Sequence, residues 1–361
     1  MTHLPSVAIV ILNYNGRAFL EKFIPFVVKS TYTNAYLVVA DNASSDDSLN
    51  WMKANGFVEY GPEAVAGGRY YITLDQNWGF AEGYNLAIKE IRAEFSVLLN
   101  SDVEVTAGWL EPLVELALAT PNLGAIQPKL LAYNDKSKFE YAGASGGFID
   151  FLGYPFCRGR IFNCLETDNG QYDSVRQIFW ASGAAMFIRT QLFLEIGGLD
   201  ANYFAHMEEI DLCWRLKLAG FNNFVCPSSV VYHVGGGTLP KVNSRKSYLN
   251  FRNSLISLLK NTHSNRVWLL IFIRLILDAA AVGMFLVQGQ FSIVYHVFLA
   301  HIHFYKQLPT NLIKRKQVIE LIKTYRKDSA DYSKDLSGQY SCSIVFKHYL
   351  RCCQSFKDLN F

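Results

Sequence analysis

Two acidic constellations, far apart along the chain, contain the residues whose types and spacing could do chemistry. One is Leu98-Leu99-Asn100-Ser101-Asp102. The other is His206-Met207-Glu208-Glu209-Ile210-Asp211, followed later by His233-Val234-Gly235-Gly236-Gly237. A carboxylate just past an apolar run can hold a hard divalent cation such as Mg²⁺ or Mn²⁺, and an acidic pair opening a helix can take up a proton. A histidine in a turn can complete the metal shell. These are the parts of a metal-assisted group transfer.

Such residues need a scaffold that brings them to one edge. Apolar, β-branched runs at Val7 to Leu12, Tyr36 to Ala40, Tyr70 to Thr73 and Phe95 to Leu99 read as strands. Helical patterns at Phe19 to Ser30, Asp46 to Asn55 and Phe80 to Arg92 alternate with them, which is the signature of an α/β fold with a mostly parallel central sheet. Asn13, Asp41-Asn42 and Asn100-Ser101-Asp102 follow three of these strands directly. Ligands of open α/β sheets bind beyond the strand carboxyl ends, so the three should meet. Ser44 and Ser45 are placed to cap the second helix and Gly56 to end it. Gly143 to Gly153 reads as a hairpin excursion, Ser182 to Ile188 as a strand, and Glu208 to Ala219 as a helix stopped by Gly220.

With 361 residues, half of them apolar, the chain can bury a large core, and its net charge of +3 does not point to nucleic acid. Seven scattered cysteines form no zinc-type CxxC pair and read as reduced thiols. The only N-terminal apolar run is too short for a signal peptide, so the expectation is a cytoplasmic catalytic part. The chain divides in this reading into 1–240, a catalytic domain; 241–330, basic and apolar helices; and 331–361, a polar tail.

Val267 to Val287 has the length of a membrane span but carries Arg274 and Asp278 four residues apart. Both would be costly in the bilayer centre, whereas an in-plane helix could turn them to water. Phe291 to Ala300 is also apolar, and Lys306, Lys314, Arg315, Lys316, Lys323, Arg326 and Lys327 suit an anionic leaflet. A peripheral or monotopic protein at the cytoplasmic face of the inner membrane is expected.

The ordered set Val10-Ile11-Leu12-Asn13-Tyr14-Asn15-Gly16, Asp41-Asn42-Ala43-Ser44-Ser45-Asp46, Asn77-Trp78-Gly79 to Asn85, Asn100-Ser101-Asp102, Ser182-Gly183-Ala184 and Glu208-Glu209 with His233 resembles glycosyltransferase family 2, in its bacterial rhamnosyltransferase-like branch. The resemblance covers about residues 5–260 and implies the GT-A fold and inverting transfer from a UDP- or dTDP-sugar to a hydroxyl of a surface-polysaccharide or lipid-linked glycan. It assigns Asn13, Tyr14, Asn15, Asp41, Asn77, Gly79, Asn85 and Ser101 to the donor nucleotide. It assigns Asp102 and His233 to the metal, and Glu209, with Glu208 beside it, to the catalytic base. Asn100 stands where a stricter DxD has Asp, and Glu209 is one methylene longer than the usual Asp. Arg245 and Arg252, in a basic stretch after the glycine-rich turn, are candidate diphosphate contacts. Asp211 and Arg215, at helical i and i+4, read instead as a structural ion pair.

Two other functions compete. A GT-A protein that kept the fold and lost activity would bind the donor without turning it over. A sugar nucleotidyltransferase would carry a Gly-rich, Arg- and Lys-bearing N-terminal signature, and Asn13 to Phe19 has one Gly and one Arg.

Overall fold

The computed structural model describes residues 4–235, 244–262, 264–326, 336–359 and 361. Gly236-Gly237, Lys327 and the expected domain boundaries at 240/241 and 330/331 lie outside the described residues.

The chain opens with β1 (Val7–Asn13), α1 (Arg17–Val28), β2 (Ala35–Asp41), α2 (Ser48–Ala54), β3 (Val58–Glu59), β4 (Arg69–Thr73), α3 (Gly79–Glu90) and β5 (Phe95–Asn100). These five strands are parallel where they pair. Almost every residue of β1, β2 and β5 is buried, as expected for strands covered on both faces. The register sets Asn13 opposite Asp41 and Leu12 opposite Asn100, so the polar strand ends stand level.

The sheet continues through β6 (Val103–Val105), α4 (Leu110–Leu118), β7 (Leu123–Ala132) and β8 (Asp135–Phe139). A small second sheet begins with β9 (Gly147–Asp150), β10 (Pro155–Cys157), β11 (Arg160–Ile161) and β12 (Cys164–Leu165). The main sheet is completed by β13 (Arg176–Ile178), β14 (Ala185–Arg189) and, after α5 (Thr190–Glu195) and α6 (Glu208–Leu218), by β15 (Asn222–His233). The main order is β13-β15-β7-β14-β5-β1-β2-β4-β3, with β14 antiparallel to both neighbours. The hairpin expected at Gly143 to Gly153 is the antiparallel β9–β10 pair. The strand expected from Ser182 begins only at Ala185, because Ser182–Ala184 turns toward the site.

Beyond the main sheet come α7 (Ser244–Asn261), α8 (Val267–Val287), α9 (Phe291–Lys306), α10 (Leu308–Tyr325), β16 (Gln339–Tyr340) and α11 (Ile344–Arg351). The described part of the expected polar tail is folded into the body. β16 adds a parallel strand to β9, and Phe356 and Phe361 pack on Phe148 and Phe156. Tyr340, Phe356 and Phe361 supply this packing drive, which a polarity reading of the segment overlooks.

The Asp211–Arg215 pair forms at 2.9 Å and belongs to a buried network. Lys260 of α7 reaches Asp211 at 2.8 Å and Asp200 at 2.7 Å, and Lys314 of α10 also pairs with Asp200. Burial alone would push the Asp200 carboxyl up, but the two lysines outweigh it and hold it well below the usual range. This network ties α7 and α10 to the base of α6.

Candidate active site

Asp102 lies between β5 and β6, and the antiparallel β6–β15 ladder sets His233 opposite Val103, next to it. His233 Nε2 is 3.1 Å from Asp102 Oδ1 and 3.4 Å from Asn100 Nδ2, while Nδ1 is 3.4 Å from Glu140 Oε1. Burial alone would push the imidazole pKa down, but Glu140 and Asp102 on its two sides outweigh this and raise it to about 10.

Asn100, Asp102 and His233 therefore converge from three strand ends, and their donor set suits a divalent cation. Among the described residues no three His, Cys, Asp or Glu side chains form a complete metal shell. The residues fit a cation held by one or two protein groups, with phosphate oxygens and water filling the rest, as Mg²⁺ commonly is.

The expected nucleotide contacts assemble into one hydrogen-bonded rim. Asn13 Nδ2 donates to Asp41 Oδ1 at 3.0 Å and to Ser44 Oγ at 3.2 Å, and the Asn15 amide donates to Ser44 Oγ at 2.9 Å. Asn13 Oδ1 is buried without a partner among the described residues, and Tyr14 stands exposed at the edge. Ser101 lies behind Gly16, where an added Cβ would be 3.7 Å from its Oγ and 2.4 Å from Asn13 Oδ1. Ser44 and Ser45 do not cap α2. Asp47 occupies the cap position, and Asp46 accepts the Ser48 amide at 3.0 Å. The Ser44 hydroxyl is drawn instead to Asn13 and Asn15, a long-range pairing that helix-start signals cannot reveal.

Asn42, which follows Asp41, is a second residue the sequence left without a task. It bonds Trp78 N at 2.9 Å, Asn77 Oδ1 at 3.1 Å and Gly79 O at 3.1 Å, so it fixes the turn that opens α3. Gly79 has φ +74°, and a Cβ there would stand 2.6 Å from the Phe204 ring. Gly79→Ala should therefore cost about 1–3 kcal/mol through backbone strain and displacement of Phe204. Urea unfolding measures this, and wild-type stability would show that neither constraint matters. Asn85, expected at the donor, is committed elsewhere. Its amide donates to Leu199 O at 2.7 Å and its Oδ1 accepts the Leu199 amide at 2.8 Å, which clamps α3 to the Gly198 turn.

The second acidic constellation opens α6 after three non-glycine residues with left-handed backbone: Phe204 at φ +63°, His206 at +69° and Met207 at +74°. Strain of this kind persists only when the surroundings enforce it. Here α7 does so: Asn253 Nδ2 bonds the carbonyls of Tyr203, Ala205 and His206, and Arg252 Nη2 those of Asn202 and Tyr203. That corrects the expectation for Arg252, whose buried guanidinium is used up in bracing this segment rather than free for a diphosphate. Arg245, the second residue of α7, is exposed with its guanidinium 5.1 Å from the Phe204 ring, which itself packs against Gly79.

Glu208 is buried and Glu209 partly buried, and Oε2 of each has no partner among the described residues. Burial pushes the Glu209 carboxyl up to about 7, although backbone amides of the first helical turn oppose it. Burial and the neighbouring Glu209 charge drive Glu208 higher still. The Ser182–Ala184 turn links the two constellations, since Ala184 O accepts the Asn100 amide at 3.0 Å and a Cβ on Gly183 would lie 3.7 Å from Glu209 Cβ.

A mixed sheet whose parallel strands flank the antiparallel β14, a polar rim at the strand ends and acidic groups near them fit a sugar-transferase fold of the GT-A class. Residues 8–167 match glycosyl transferase family 2. It is 26% identical over 250 residues to the N-acetylglucosaminyl-diphospho-decaprenol L-rhamnosyltransferase of Mycobacterium tuberculosis, covering 64% of this chain and 75% of that protein. In structure it is similar to S. aureus TarS 1–349 in complex with UDP-GlcNAc, with a TM-score of 0.53 at 14% identity, covering 89% of this chain and 90% of that one. It is also similar to GalNAc-T7 with UDP, GalNAc and Mn²⁺, with a TM-score of 0.53 at 15% identity, covering 72% of this chain but only 48% of that one. The chain is a glycosyltransferase.

Proposed function

We propose that this enzyme transfers a sugar from a UDP- or dTDP-sugar, with inversion, to a hydroxyl of a lipid-linked glycan at the cytoplasmic face of the inner membrane. The observation that carries the proposal is that one turn, Ser182–Ala184, packs against Glu209 and also bonds Asn100, which with Asp102 flanks His233. In this reading Asn13, Asn15 and Asp41 hold the nucleoside, with Tyr14 and Ser101 at its border, and the Asn77–Gly79 turn shapes the sugar side. Asp102 and His233 hold Mg²⁺ or Mn²⁺, which supplies charge neutralisation for the departing diphosphate. Glu209 takes the proton from the attacking acceptor hydroxyl, and Glu208 behind it keeps the site acidic. Arg245, beside the Phe204 ring, is the diphosphate contact in this reading. The relatives' names support the donor and acceptor classes: one acts on a diphospho-decaprenol glycan and one solved neighbour holds UDP-GlcNAc. Titrating the enzyme with UDP, dTDP and GDP in the presence of Mn²⁺ tests it: binding of UDP or dTDP, weakened by chelator, is expected, and binding of neither, or of GDP alone, would refute the donor assignment.

The membrane part of the proposal rests on α8. Arg274 and Asp278 do not turn to water, as expected from sequence, but inward. Arg274 bonds Leu152 O at 2.9 Å and Ser254 Oγ at 2.8 Å, and Tyr154 donates to Asp278 Oδ1 at 3.2 Å. Val267, Ile271, Arg274 and Asp278 form one buried stripe, so α8 lies on the body and its opposite face is apolar and open at Trp268, Leu269, Phe272 and Ile276. Phe291, Tyr295 and Phe298 of α9 are also exposed, as are the cationic Lys306 and Lys316. A face of this composition suits shallow insertion among headgroups. The double variant Phe272→Glu, Ile276→Glu should lower co-sedimentation with vesicles containing anionic lipid at least about tenfold, as expected when buried apolar area is replaced by charge. Unchanged sedimentation would contradict the docking.

A further inference from the structure

We infer that Glu140, which no motif singles out, is a positioning residue that fixes the His233 ring for a divalent cation. The inference rests on the reading of His233 as a metal ligand given above.

Glu140 directly follows β8 and is 4% exposed. Its backbone is fixed by a bond from its amide to Leu130 O at 3.0 Å. One carboxylate oxygen accepts the Ala142 amide, which anchors the side chain, and the other faces His233 Nδ1 at 3.4 Å. A buried carboxylate is costly unless it is paired, and His233 is its ion-pair partner among the described residues. Space for it is made by Gly235, whose φ is +65° and whose added Cβ would stand 2.7 Å from Glu140 Oε1. The backbone after His233 is thus shaped around this carboxylate.

The bland reading makes Glu140 a turn former through its Ala142 bond alone. That bond uses one oxygen, and it does not account for the second oxygen directed at the imidazole or for the glycine that admits it. The two ring nitrogens face different groups: Nε2 faces Asp102 and Asn100, and Nδ1 faces Glu140. For Nε2 to bind a cation, the ring proton must sit on Nδ1, which is buried with no hydrogen-bond partner among the described residues, and Glu140 Oε1 at 3.4 Å is the carboxylate placed to accept that N–H and so hold tautomer and orientation. Glu140 is separated from His233 by a whole domain's worth of chain, so no spacing rule connects them.

The test uses the full chain and Mn²⁺ alone. Affinity is measured from the free-ion paramagnetic signal, direct imidazole coordination from nitrogen modulation of the electron spin echo, and folding from the thermal midpoint. Glu140→Ala should weaken Mn²⁺ about 10–100-fold, the usual range for loss of such a partner, and diminish the nitrogen modulation. Glu140→Gln keeps an oxygen that can accept from Nδ1 and should restore most of both. Wild-type Mn²⁺ affinity and modulation in Glu140→Ala would overturn the inference. So would equal weakening in both variants accompanied by equally lowered thermal midpoints, which would assign Glu140 to folding. Absence of imidazole modulation in the wild type would instead refute His233 as a ligand.

Discussion

Glu209→Gln is expected to lower the transfer rate by about a hundredfold or more while leaving donor affinity nearly unchanged, because glutamine keeps the shape but cannot take a proton. The geometry favours Glu209 over its neighbour. Glu209 is the less buried of the two and lies against the Gly183 turn, whereas Glu208 is driven more strongly toward its neutral form. Glu208→Gln should therefore cost less. The pH dependence follows from the raised Glu209 pKa of about 7: a base works only when ionised, so the rate should fall as pH drops through about 7 and level off above it. The variant should lose this acidic limb along with its rate. A larger loss in Glu208→Gln, or an unaltered pH profile in Glu209→Gln, would transfer the role.

Asp102→Asn is expected to reduce turnover at least about a hundredfold, to the level seen with chelator, since loss of the anionic ligand weakens the hold on a cation that supplies several kcal/mol of charge stabilisation. Asparagine is nearly isosteric and its oxygen can still accept from His233 Nε2, so the thermal midpoint should change little. Activity equal to wild type would remove Asp102 from the mechanism. Full activity in saturating chelator would remove the metal.

The α/β order and the meeting of Asn13, Asp41 and Asn100 were legible because strand periodicity and polar strand ends are local signals. The α8 boundaries were legible too, set by one apolar run between Arg266 and Gln288. What escaped the sequence depends on contacts between distant segments. Arg252 looks like a free cation until α7 is seen gripping the Asn202–His206 backbone, and Asn85 looks like a ligand until Leu199 is found across from it. Arg274 and Asp278 were expected in water because a helix alone does not reveal the Leu152 carbonyl and Tyr154 hydroxyl that satisfy them. Glu140 carried no signal for the same reason, and Ser44 read as a helix cap because Asn13 and Asn15 are not its neighbours in sequence.

The central claim, an active metal-dependent sugar transferase, is tested most directly by nucleoside diphosphate release. UDP-, dTDP- and GDP-sugars would be supplied one at a time with Mn²⁺ and a glycolipid extract. Release is expected from at least one UDP- or dTDP-sugar and is abolished by chelator and by Asp102→Asn, with the sugar recovered in the glycolipid in inverted configuration. Tight donor binding with no release from any sugar, under conditions where the wild type is folded and Mn²⁺ is bound, would contradict it and mark the protein as one that kept the fold and binds without catalysis.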